Sequence, residues 1–99
     1  FSEPYGQIPG MVDSKKVIGR RLKELRLALE VRTQTDFAAT IGVEKNTYNP
    51  WEKGSRLLTF EGACLIRQRY RIPLDYLFYG DTAGLPAWLH ERLLKQAAA

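Results

Sequence analysis

The sequence predicts an all-α protein: a compact five-helix bundle followed by an extra C-terminal helix. Three observations predict it. Apolar residues recur at spacings of three and four, side chains able to cap a helix stand just ahead of those stripes, and glycines or prolines separate them. The chain's 99 residues suit one domain, and 44% hydrophobic residues allow a compact though small core.

Residues 1–12 carry prolines and glycines without a helical stripe and read as a flexible leader, with Met11 a candidate native start. Asp13 or Ser14 then caps a first helix whose stripe is Ile18, Leu22, Leu25 and Leu29. Its polar face, Arg20, Arg21 and Lys23, reads as a solvated surface. Thr33 caps a second helix, Asp36 stands where it completes a capping box, and Phe37, Ala38 and Ile41 share one face. Gly42 stops that helix, because glycine tolerates the left-handed backbone of a tight C-terminal turn. Val43 fills the wedge, and Glu44 to Trp51 begin the next helix with Val43, Tyr48 and Trp51 as its buried face.

Thr59 caps a fourth helix running to about Tyr70, with Phe60, Ala63, Ile66 and Tyr70 inward. A short fifth helix starts near Pro73, a residue suited to a first helical turn. Beyond the break at Gly80 to Gly84, a sixth helix from about Pro86 to Ala97 shows Trp88, Leu89 and Leu93 on one side. That side either caps the core or forms a patch between two copies.

Two short apolar-striped segments hinged at a glycine, Thr33 to Gly54, have the layout of a helix-turn-helix. Its second helix leaves Lys45, Asn46, Thr47, Asn49 and Lys53 facing outward. These side chains suit base edges and phosphates: amides pair bidentately with adenine, Lys meets guanine acceptors or phosphate, and Thr offers a hydroxyl or a methyl.

The stretch from about Ile18 to Gly80 resembles the lambda repressor and Cro type of helix-turn-helix, the XRE family. The resemblance rests on I-G-R-R-L-K-E-L-R at Ile18 to Arg26, T-Q-T-D-F-A-A-T-I-G-V at Thr33 to Val43, W-E-K-G at Trp51 to Gly54 and I-P-L-D-Y-L-F-Y-G at Ile72 to Gly80. The later G-L-P at Gly84 to Pro86 is similar to an extension in some phage-like members. The resemblance implies a DNA-binding domain over 13–80 and a C-terminal helical extension over 81–99. It implies a sequence-specific transcriptional regulator, a repressor, that binds double-stranded DNA as a homodimer on half-sites about one helical turn apart.

By the same resemblance, Lys45, Asn46 and Thr47 enter the major groove, Gln34 contacts phosphate or base, and Lys53 and Arg56 clamp phosphates. Solvated surface is the plainer alternative for each of them. Trp51 packs inward and Glu52 fixes local structure. Glu44 stands where Ser or Thr is usual, bringing a negative charge near phosphates while able to accept from a cytosine amino group. Pro50 lies inside the groove-facing helix, where it loses an amide and clashes with the carbonyl of Asn46. The expectation is that this helix ends early, bends or begins late.

Composition narrows the remaining classes. The net charge of +4 favours a polyanionic partner, and the excess lies within 13–80, where thirteen basic residues oppose eight acidic ones. The single cysteine, Cys64, reads as a small packed core residue and His90 as a surface helix residue, so no disulfide, metal or cofactor is expected. No segment reaches the ~20 apolar residues of a membrane span and no secretory signal is recognisable, which places the expected protein in the cytoplasm. An enzyme is disfavoured, since no nucleophile and base, paired carboxylates or metal cluster stands at workable spacing. The alternative is a protein-interaction or antitoxin-like module on the same fold, with Pro50 and Glu44 as its support.

Overall fold

Ser14 Oγ accepts the Val17 amide at 3.2 Å and opens α1 (Lys15–Ala28) in the computed structural model, which describes residues 11–98. The leader expected over 1–12 lies outside the described residues as far as residue 10. Val12 packs against the core and the Asp13 amide donates to Phe78 O at 2.9 Å, so the packed unit begins ahead of Asp13. Thr33 Oγ1 caps α2 (Gln34–Ile41) by accepting from the Asp36 amide at 3.0 Å. After α3 (Lys45–Lys53), Thr59 Oγ1 caps α4 (Phe60–Tyr70) by accepting from the Gly62 amide at 3.0 Å. The chain closes with α5 (Leu74–Tyr79), capped by Pro73, and α6 (Ala87–Ala98). All six elements are helices, and no strand occurs among the described residues.

The core is one cluster around α1. Ile18, Leu22 and Leu25 are fully buried and meet Phe37 and Ile41 of α2, Tyr48 and Trp51 of α3, Ile66 of α4, Leu77 of α5 and Leu89 of α6 within it. α1 comes so near α3 that a Cβ on Gly19 would stand 2.6 Å from the Glu52 carbonyl oxygen and 2.7 Å from that of Trp51. Leu85 and Leu89 belong to the same cluster, so α6 shares one core with residues 13–80. Arg92 Nη1 donates to Ala28 O at 3.0 Å and Gln96 Nε2 to Glu24 O at 3.1 Å, fastening α6 along α1.

Several expectations are corrected by this packing. Phe60 is 67% exposed: at 3.6 residues per turn the inward arc of α4 is centred on Gly62, Ala63 and Ile66, and Phe60 falls beside it. Tyr70 does face the core, half-buried, with its ring stacked on Phe37 at 5.3 Å and its hydroxyl 2.6 Å from Thr40 Oγ1. Trp88 is half-exposed beneath the Arg92 guanidinium, 5.2 Å from its ring centroid, while Leu89 and Leu93 cap the core. Arg21 leaves the solvated face assigned to it: it pairs with Asp13 at 2.6 Å and donates to Leu77 O at 3.0 Å. Cys64 is only partly buried.

Pro50 lies inside α3, which neither ends early nor starts late. The hydrogen bond that Pro50 cannot make is the one to the carbonyl of Asn46, and Asn46 is an exposed residue, open to water as a substitute donor. Pro50's own carbonyl closes the helix, accepting the amides of Gly54, Ser55 and Arg56 at 3.1, 3.1 and 3.2 Å. Gly54 makes that closure with φ of 83°, a left-handed conformation suited to glycine.

Candidate nucleic-acid interface

Three local devices aim α3. Gly42, at φ of 82°, turns the chain out of α2 while the Val43 amide bonds back to Ala38 O at 3.0 Å. Glu44 O then accepts the amides of Thr47 and Tyr48 at 3.0 and 3.1 Å and starts α3, although the Glu44 side chain makes no capping bond. Tyr48 and Trp51 are buried, their rings edge to face at 6.0 Å. With that face inward, Lys45, Asn46 and Thr47 stand exposed on the first turn and Lys53 on the last, with Glu44 exposed beside them.

Asn49 differs from the free polar residue expected. It is half-buried, and its Nδ2 donates to Gln34 Oε1 at 2.7 Å, joining the first turn of α2 to the middle of α3. The pair leaves Gln34 Nε2 as donor and Asn49 Oδ1 as acceptor for an outside group. Gln34, Asn49 and Lys53 border a shallow hollow of about 430 Å³ together with Lys23, Arg26, Arg32 and Glu52. Arg26 and Glu52 neutralise each other, so Lys23, Arg32 and Lys53 give the hollow a positive surplus suited to a phosphate. Arg56 is exposed on the loop that follows α3.

Arg26 is the residue that sequence reasoning missed. Its Nη2 and Nε meet Glu52 Oε1 and Oε2 at 2.8 and 3.1 Å, and its Nη1 donates to Val31 O and Arg32 O at 3.0 and 2.7 Å. One guanidinium thereby ties α1 to α3 and to the linker that leads into α2. Hydrogen bonding to Glu52 favours its charged form against the opposing effect of burial. A signal was present: Arg26 is four residues from Leu22, so it lies on the apolar stripe of α1, where a charge needs a partner. Beside the pair, the Tyr48 hydroxyl is buried without a hydrogen-bond partner among the described residues, and burial pushes its phenol far above the ordinary tyrosine range.

No helix among the described residues is long and apolar enough to cross a membrane. Comparison with family models, curated proteins and solved structures found no match to this chain.

Proposed function

We propose that this chain is a sequence-specific DNA-binding transcriptional regulator of the lambda repressor and Cro type, acting in the cytoplasm as a repressor. The observation that carries the reading is the division of α3. Tyr48 and Trp51 anchor one side in the core, and the other presents Lys45, Asn46 and Thr47 unobstructed on the first turn, the part of such a helix that meets base edges. Lys23, Arg32 and Lys53 around the Gln34–Asn49 pair support phosphate contacts on either side of a groove, with Arg56 beyond them. A homodimer on two half-sites accords with so small a reading surface.

Selection from a random duplex library, followed by competition of the enriched duplex against a scrambled one at two salt concentrations, tests the reading. A two-fold symmetric motif that outcompetes the scramble is the expected result. Each phosphate neutralised adds about 0.9 to the slope of log affinity against log salt. Equal, salt-steep binding to both duplexes would reduce the protein to a reader of charge.

A second reading, a protein-interaction module, has support in the exposed Glu44 carboxylate at the head of α3 and in the exposed Leu57 and Phe60 after it. Absence of DNA binding at low salt, by a protein that folds, favours that reading.

A further inference from the structure

Arg67, Arg69 and Arg71 crowd the end of α4, and they are used differently. Arg69 lies over the Tyr70 ring at 4.9 Å. Arg67, on the last turns of α4, and Arg71, just past its end, border one cleft of about 410 Å³ with Gln68 and Pro73. Neither guanidinium has a hydrogen-bond or ion-pair partner among the described residues, and no carboxylate occurs among the described residues lining the cleft. The Pro73 wall is backed closely, since a Cβ on Gly84 would stand 3.0 Å from Pro73 Cγ.

The backbone adds an independent observation. α2, α3 and α5 close on glycines in the left-handed conformation, whereas α4 closes on Arg71 at φ of 62°. Among the described residues one other non-glycine residue, Glu30, shares that conformation, and its carboxylate has Arg92 as a partner at 3.5 Å. Arg71 adopts a costly backbone conformation with no side-chain hydrogen bond or ion pair among the described residues to offset it, which marks it as a candidate binding residue.

We propose that this cleft is a second anion site, taking a small phosphate-bearing ligand. Two guanidinium forks and one amide suit the oxygens of a phosphate or pyrophosphate group, and the volume suits a small molecule. The site is distinct from the α3 surface. The ten residue steps of α4 carry the chain about 15 Å from Phe60 to Tyr70, leaving the cleft a helix length from the α3–α4 loop that holds Arg56. It therefore goes beyond DNA binding and stands whether or not the chain reads DNA.

The test is a titration of isotopically labelled protein with inorganic phosphate and then pyrophosphate at constant ionic strength, followed by NMR. Saturable shifts at the amides and Nε groups of Arg67 and Arg71 are expected, with pyrophosphate the tighter ligand. Arg67→Gln should weaken pyrophosphate binding at least fivefold without moving Tm. Arg71→Gly should weaken it similarly while raising Tm, because the strained backbone is relieved. Shifts confined to Lys23, Arg32 and Lys53, non-saturating shifts at every basic residue, or undiminished binding by Arg67→Gln would overturn the proposal. So would a lower Tm for Arg71→Gly, which would show Arg71 held by contacts of its own.

Discussion

Arg26 and Glu52 meet as a two-pronged pair between α1 and α3, at 2.8 and 3.1 Å, with side chains 7% and 3% exposed. A pair this buried contributes little over an apolar replacement but is costly to break, because the survivor is left charged and unpaired. Arg26→Met is expected to cost about 3–5 kcal/mol. The double variant Arg26→Met, Glu52→Leu should recover part of that loss, the carbonyls of Val31 and Arg32 remaining without their donor. A double-mutant cycle in urea measures this, and strictly additive losses would show that the two charges are not coupled.

Gly19 sets a contest between two effects. Alanine in mid-helix is worth about 1 kcal/mol over glycine, yet its methyl would meet the backbone carbonyls of Glu52 and Trp51, which have no rotamer by which to yield. The clash should win, leaving Gly19→Ala destabilised by about 1–3 kcal/mol. Thermal denaturation checks it; a raised Tm would mean that α1 and α3 separate at little cost.

On the proposed reading face, Asn46→Ala should lose ~1–3 kcal/mol of discrimination at one base position. Lys53→Ala should weaken binding to every sequence and flatten its salt dependence. Affinity measured on single-base operator variants separates the two, and an equal loss on all sequences for both would refute the division into reader and clamp.

Burial pushes the Tyr76 phenol up to about 12, with nearby Arg21 opposing and Glu24 assisting. Below pH ~10 both folded and unfolded forms hold the proton, and this group leaves stability unchanged. Between about pH 10 and 12 the unfolded chain releases it while the folded chain keeps it, so stability falls as pH rises through that window. Urea midpoints should therefore decline less steeply there for Tyr76→Phe than for the parent protein; parallel declines would contradict the burial effect.

The six helices were legible because their caps and stripes are local: Ser14, Thr33 and Thr59 each accept the amide three residues on. The exposure of Phe60 and Trp88 is not legible in the same way, because an apolar residue at the edge of an arc looks the same in sequence as one at its centre. Pro50 is legible only in part: the amide it lacks is plain from the sequence, while the carbonyl it supplies to three amides of the following turn is a property of the folded chain. Asn49 and Gln34 were each readable as polar and outward, but their bond spans fifteen residues and depends on how α2 crosses α3. Gly19 carried no signal beyond its identity, since only its neighbours across the interface show why a side chain is excluded.

The clasp of α6 along α1 bears on how such a chain can be inherited. Arg92 and Gln96 fasten to carbonyls of α1, and Leu89 enters the core that α1 organises. A recombination event that joined residues 13–80 to an unrelated tail would exchange one wall of the core along with the tail. α1 and α6 are therefore expected to travel together through sequence change, each substitution at Leu25 or Ala28 answered by one at Leu89 or Leu93.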